Sequence, residues 1–218
     1  MAIRFSDRHD AGRKLARALH SYAGRKDVLV LALPRGGVPV GYEVATALGA
    51  GFDILVVRKL GIPYQPELAM GAVASGGALY LNRFLIDQLG ISRHEIEAVL
   101  AAERTELTRR ERRYRGERPS PQIGGRTIIL VDDGVATGAS MHAAVMALRT
   151  GNPARIIVAV PVAPDDAGKR FEADADEFVS LFSPADFRAV GQFYEVFDQT
   201  SDEEVRELLS QFQRETSS

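Results

Sequence analysis

Two adjacent carboxylates, Asp132 and Asp133, follow directly on an apolar run, Ile128 to Val131. A strand buried on both faces that ends in a paired acid is costly unless something binds there. Gly134, Val135 and Ala136 lead into Thr137, Gly138, Ala139 and Ser140, and beyond them Met141, Val145 and Leu148 recur at helical spacing. The order is strand, small-residue turn, helix. Such a turn aims backbone N–H groups and a helix N-terminus at one spot, which suits a phosphate. Thr137 and Ser140 add hydroxyl donors. Carboxylates accept hydrogen bonds from vicinal hydroxyls, so a phosphate cradle beside two acids suits a ribose 5-phosphate. The plainer alternative is an ordinary helix cap in a doubly wound fold.

A second turn of the same kind, Pro34-Arg35-Gly36-Gly37, follows the apolar run Val28–Leu33. Gly36 and Gly37 let backbone approach a ligand without a Cβ in the way, and Arg35 supplies charge for an anion. Taken alone, this is equally a plain strand-to-helix turn. Arg58 and Lys59 close the next apolar run, Ile54–Val57. Two cations at a strand's carboxyl end suit an anionic ligand; a solvated pair is the alternative. Glu67 is a lone acid nearby, with no role that its neighbours suggest.

The elements that must position these groups alternate. Ser6–Tyr22 is predicted to be an amphipathic helix with Ala11, Leu15, Ala18, Leu19 and Tyr22 on one face. Val28–Leu33, a helix through Leu48 and Ile54–Val57 make a strand–helix–strand unit, which implies a parallel pair with a right-handed crossover. Leu60–Gly77, rich in glycine and proline, is expected to be turn-rich and partly mobile, with a small hairpin of Met70–Ser75 and Ala78–Asn82 around Gly76-Gly77. Ser92 and Glu95 form a capping box opening a long charged helix to about Arg115. Its interleaved Glu and Arg residues point to a self-paired, solvated helix rather than an RNA-binding face. Arg155–Val160 and Phe178–Phe182 are further strands, Ala167–Phe171 starts a helix, and Val205, Leu208, Leu209 and Phe212 define a closing helix capped by Ser201. The expected architecture is a doubly wound parallel α/β sheet in one domain over 1–218. Its core spans about 28–183, with a helical insert at about 92–117 and a C-terminal hood and helix at about 184–214.

The apolar strand, two acids and Thr-Gly-x-Ser together resemble the 5-phosphoribosyl-1-pyrophosphate (PRPP) signature of type I phosphoribosyltransferases. LPRGG resembles the family's pyrophosphate loop. RKLGIP is similar to a stretch of adenine phosphoribosyltransferases, and LPRGG, RKLG and PELAMGAVA together resemble a little-characterised bacterial branch. The resemblance runs from about Val28 to Gln199. It implies transfer of a phosphoribosyl group to a nitrogenous base with release of pyrophosphate. Asp132 and Asp133 would hold the ribose hydroxyls and help place Mg²⁺, and the loop to Ser140 would hold the 5-phosphate. Arg35, Arg58 and Lys59 would stabilise pyrophosphate while Leu60–Gly77 closes over it. Val190–Gln199 corresponds in order to the base-binding region, so Phe193 or Tyr194 would stack on a base and Asp198 accept from its edge. Ala136 stands where hypoxanthine–guanine enzymes carry an acid, which leaves the acceptor base open. Some proteins of this fold are regulators that sense nucleotides and bind nucleic acid, the alternative implied here.

Composition narrows the field. The 218 residues are 45% hydrophobic with a formal net charge of −2, which gives no global pull toward nucleic acid or membrane. There is no cysteine, hence no disulfide, thiolate nucleophile or cysteine zinc site, and His9, His20, His94 and His142 lack metal-ligand spacing. P-loop, dinucleotide, zincin and serine-hydrolase motifs are absent. No run reaches membrane-span length, and the N-terminus has charges where a signal peptide needs an apolar run. A cytoplasmic protein, most simply a homodimer, is expected.

Overall fold

A computed structural model describes residues 5–216, apart from the side chains of Pro66 and Glu67; any role of Glu67 therefore lies outside the described residues. In chain order the elements are α1 (Arg8–Ala18), β1 (Val28–Ala32), α2 (Gly37–Leu48), β2 (Gly51–Ile54), β3 (Val57–Ile62), β4 (Gln65–Ala74) and β5 (Leu79–Leu81). They continue with α3 (Arg83–Leu89), α4 (Arg93–Arg115), β6 (Thr127–Val131), α5 (Ala139–Arg149), β7 (Arg155–Val162), α6 (Ala167–Phe171), β8 (Glu177–Phe182) and α7 (Asp202–Thr216).

The most apolar strands, β1 and β6, are buried at every residue and lie at the centre of a parallel sheet of order β2-β1-β6-β7-β8. Alternate side chains leave by opposite faces, as the period of a strand requires. Val28, Val30, Ala32, Ile129 and Val131 join a core with α1, α2 and α7. Leu29, Leu31, Ile128 and Leu130 pack with Met141, Val145 and Leu148 of α5. Each fully buried aliphatic side chain contributes roughly 1.5–3 kcal/mol relative to exposure. The chain leaves β1 toward β2 and returns to β6 on the other side, so a topological switch point falls between β1 and β6, where sheets of this kind leave a crevice. The register makes their ends flush: Ala32 pairs with Val131, and the Leu33 amide donates to the Val131 carbonyl at 2.9 Å. The Pro34–Gly37 turn and the two acids after Val131 are thereby neighbours.

Several expectations need correction. Leu60–Gly77 is not a turn-rich loop. It forms most of a second, antiparallel sheet of order β3-β4-β5, with Leu60, Met70 and Val73 fully buried. Its glycines serve strand contact and turning: a Cβ on Gly71 would overlap the Tyr80 carbonyl, while Gly76 and Gly77 have φ of 77° and 81° at the β4–β5 turn. The β4–β5 hairpin is as expected. Arg58 and Lys59 do not close a core strand: β2 ends at Ile54, and both lie in β3, opposite Val73 and Ala72. In α1, Ala16 rather than Ala18 faces the core.

Helix α4 begins with the expected capping box of Ser92 and Glu95. Its other end is fixed by Arg115, whose side chain is 2% exposed. The guanidinium donates to the Ile54 carbonyl at 2.8 Å, Asp53 at 3.1 Å and Glu111 at 3.0 Å. Arg115→Met removes the cation and leaves these acceptors short of a donor. It is expected to cost about 3–5 kcal/mol, read as a lower denaturant midpoint; an unchanged midpoint would contradict the role given to this contact.

Candidate active site

Asp132 and Asp133 occupy the first two positions after β6, partly buried beside the end of β1. The Asp133 amide donates to Asp132 Oδ1 at 2.9 Å. Burial, and then the charge of Asp133, pushes the Asp132 carboxyl well above its ordinary range. Burial also raises Asp133, while Arg8 pulls it back down. Arg8 Nε lies 2.8 Å from Asp133 Oδ2, and its Nη1 donates to the Asp198 carbonyl at 2.6 Å. The same guanidinium sits 4.1 Å from the centre of the Phe197 ring. The Tyr194 hydroxyl, its pKa raised by burial and the nearby Asp133 charge, donates to the Asp133 carbonyl at 2.6 Å.

The raised Asp132 carboxyl gives a signed pH effect. The folded state holds this proton more tightly than the unfolded chain. Its contribution to stability is therefore present below the ordinary carboxylate pKa and lost as pH rises through the raised one. Asp132→Asn removes that loss. The variant is expected to melt higher than the native chain at pH 8, with the gap closing toward pH 4; a native chain more stable at pH 8 would contradict this.

Gly36 and Gly37 are glycines for space. At Gly36 the backbone is ordinary right-handed helical (φ −59°), yet a Cβ would overlap the Asp133 carboxylate. A Cβ on Gly37 would stand 2.8 Å from the Val131 carbonyl oxygen and 2.9 Å from the Asp132 Cα. The Pro34–Arg35 peptide before them is cis.

After the acids, the Val135 amide donates to the Val162 carbonyl at 3.0 Å, and Gly134 packs so closely on Val190 that a Cβ would lie 2.6 Å from it. Gly138 takes a φ of 79° to turn the chain into α5. No side chain of its N-cap residue caps that helix. Among the described residues, the one hydroxyl bonded to its first N–H groups is Thr137 Oγ1, 3.5 Å from the Ala139 amide. The first turn thus presents N–H groups beside exposed Thr137 and Ser140, an arrangement fit for an anion.

Three cavities meet around this point. One of about 410 Å³ is walled by Thr137, Gly138, Ala139, Lys59, His142 and Arg170. A second, of about 240 Å³, is lined by Asp132, Ser140, Arg58, Lys59, Arg110 and Pro34. A third, of about 550 Å³, is lined by Asp133, Gly36, Arg35, Arg8, Pro34 and neighbouring residues of α4 and α7. Arg58 pairs with Glu103 at 2.6 Å, whereas the Lys59 side chain has no hydrogen-bond or ion-pair partner among the described residues. Arg35 is not grouped with Arg58 and Lys59: it faces Asp202 at 3.8 Å in the third cavity.

The base-stacking expectation is corrected. Phe193 is 3% exposed and packs on Phe182 and Phe187; Tyr194 is 5% exposed and packs on Phe5 and Phe197. Neither ring lines any of the three cavities. At Asp198 the backbone carbonyl, bonded to Arg8, is what the fold engages. Sequence reasoning missed Arg8, Asp202 and Phe197. Arg8 meets Asp133 across 125 residues of chain, a pairing that no local pattern announces. It also missed Arg110 and Tyr114. Tyr114 continues the buried stripe of α4 seven residues after Leu107, so the helical period held a signal.

The family model described as phosphoribosyl transferase domain matches residues 6–197. A Mycobacterium tuberculosis H37Rv protein, whose name as a phosphoribosyl transferase is itself provisional, is 47% identical over 211 residues, 97% of this chain and 47% of that protein. The chain therefore spans about half the length of the curated relatives it matches. The crystal structure of TT1426 from Thermus thermophilus is 45% identical, covers 96% of this chain and 99% of that one, and superposes with a TM-score of 0.88. A protein of Aquifex aeolicus shares the fold alone, at 10% identity and a TM-score of 0.50, over 91% of this chain and 84% of its own.

Proposed function

Because the chain belongs to the phosphoribosyl transferase domain family, we propose that it transfers the 5-phosphoribosyl group of PRPP to a nitrogenous base. The observation that carries this reading is the pair Asp132–Asp133 at a switch point, between a helix N-terminus whose N-cap residue is a glycine and a glycine turn pressed against it.

The amides of Ala136 to Ser140 and the hydroxyls of Thr137 and Ser140 hold the 5-phosphate. Asp132 and Asp133 accept from the ribose hydroxyls and favour the positive charge that grows on the sugar as its bond to pyrophosphate breaks. Lys59 and Arg58, which share a cavity with Asp132, hold the leaving group. The acceptor nitrogen's lone pair forms the new bond to the anomeric carbon. The electron pair of the broken C–O bond departs on pyrophosphate, and the nitrogen's proton passes to solvent.

Among the described residues no group of three or more His, Cys, Asp or Glu could hold a metal ion. Two carboxylates with no third ligand fit an ion that keeps its waters and shares substrate phosphate oxygens, which is the habit of Mg²⁺. Asp132 is the ligand free to do so, since Asp133 already faces Arg8. Bound there, Mg²⁺ would neutralise charge on the departing pyrophosphate.

Among the described residues no helix is long and apolar enough to cross a membrane. We place the protein in the cytoplasm, most simply as a homodimer, in keeping with a cysteine-free chain. The test is incubation with PRPP, Mg²⁺ and a panel of bases. Base-dependent pyrophosphate release is expected; release with no base that depends on it would remove the transferase reading.

A further inference from the structure

The cavity of about 410 Å³ does not end at the phosphate turn. Thr137, Gly138 and Ala139 wall its mouth. From there it follows one face of α5, where Ala139, His142, Ala143 and Met146 stand at the i, i+3, i+4 and i+7 spacing that shares a side of a helix. Seven residues of helix rise about 10 Å, so the groove continues well past a terminal phosphate. Ala69, Gly71, Ala72 and Tyr80 of the second sheet form the facing wall, and Arg170 and Phe171 of α6 close the third side.

Small residues leave this space open. Where β4 passes α5, the groove residues are alanine or glycine, and Ala143 belongs to none of the buried core clusters. The apolar surface of Ala72, Ala143 and Met146 suits the face of a flat ring. Three polar groups along the groove are uncommitted among the described residues. They are the Lys59 side chain, the Tyr80 hydroxyl and the NH₂ of Asn82, whose side-chain oxygen alone is used, by the Leu85 amide at 3.1 Å. Lys59 also borders the cavity of Asp132, so it stands between the acid pair and the groove. A phosphate on the α5 turn is therefore a junction. On one side lies Asp132; on the other lies a groove with an apolar floor, donors along its length and a free cation at its mouth.

Resting on the phosphoribosyl site proposed above, we infer that the protein also binds ribose 5-phosphates whose phosphate is joined through a second phosphate to a nucleoside, and that the α5 groove takes that nucleoside. With no pyrophosphate on its anomeric carbon, such a ligand leaves Lys59 to meet the second phosphate, together with the Thr137 hydroxyl. The base lies against Ala143 and Met146, and Tyr80 and Asn82 donate to acceptor atoms on its edge. The ligand excludes PRPP, because both place a ribose 5-phosphate on the acid pair and the α5 turn.

The experiment is calorimetric titration of the full chain with ADP-ribose, ribose 5-phosphate and AMP. ADP-ribose is ribose 5-phosphate carrying AMP on its phosphate, so the two smaller ligands are its halves. It is expected to bind at least about tenfold tighter than either half and to be displaced by ribose 5-phosphate. Ala143→Phe fills the groove and is expected to weaken ADP-ribose at least about tenfold while ribose 5-phosphate binds as before. ADP-ribose binding no tighter than ribose 5-phosphate, AMP binding as tightly as ADP-ribose, simultaneous binding of ADP-ribose and ribose 5-phosphate, or undiminished ADP-ribose affinity in the variant would overturn the inference and leave the sugar phosphate site standing. Should Ala143→Phe fail to fold, Tyr80→Ala serves instead, because the Tyr80 side chain has no hydrogen-bond or ring partner to lose; unchanged ADP-ribose affinity there would count equally against the inference. Absence of ribose 5-phosphate binding would sink the phosphoribosyl reading itself, and this inference with it.

Discussion

Asp133→Asn is expected to lower kcat/KM for PRPP by about 100- to 1,000-fold, the scale on which removal of one electrostatic stabiliser acts. The substitution keeps the shape of the side chain and deletes its charge. Asparagine can still accept a hydrogen bond from a ribose hydroxyl, so the loss falls on the transition state, where positive charge on the sugar has lost its counter-ion. The backbone anchor is untouched, because the Tyr194 hydroxyl bonds the Asp133 carbonyl and not its side chain. Arg8 loses one partner but keeps the Asp198 carbonyl and the Phe197 ring. The fold should therefore survive, as read by circular dichroism. Unchanged turnover would remove this carboxylate from the mechanism.

Gly36→Ala is expected to cost about 100-fold in kcat/KM, as a displacement of roughly 1 Å at a reacting group does. A methyl group at this position overlaps the Asp133 carboxylate. The carboxylate must swing away, which breaks its 2.8 Å contact with Arg8 and moves the acceptor of the ribose hydroxyl. Backbone strain is not the cause, since φ at Gly36 is −59°. Gly49→Ala is the contrasting control. That glycine closes α2 at a φ of 62° with open space around it. Its substitution should cost about 1–2 kcal/mol of stability and leave turnover alone. A Gly36→Ala protein with native turnover would mean that the turn does not set the position of Asp133.

The sheet and the acid pair were legible because their signals are local. An unbroken apolar run that stops at two acids has few physical readings, and flush strand ends then bring the Pro34 turn beside it. The second sheet was misread because glycine and proline are ambiguous in sequence. Gly71 is there for the approach of Tyr80, which lies on another strand, and only the folded chain shows that. Arg58 and Lys59 moved into that sheet with it, though they still reach the cavity that Asp132 borders. Phe193 and Tyr194 look like ligand-facing aromatics in a loop. Their burial depends on Phe5 and Phe182, from distant parts of the chain. Arg8 and Asp202 stood furthest from view. Each is one charge at the start of a terminal helix, and each gains its meaning from a partner far away in sequence.

The most direct measurement is the crystal structure of the chain with ribose 5-phosphate bound. The phosphate is expected against the first turn of α5, beside Thr137 and Ser140, with the sugar hydroxyls at Asp132 and Asp133. A sugar phosphate lodged away from the carboxyl end of β6, with these residues untouched, would contradict it.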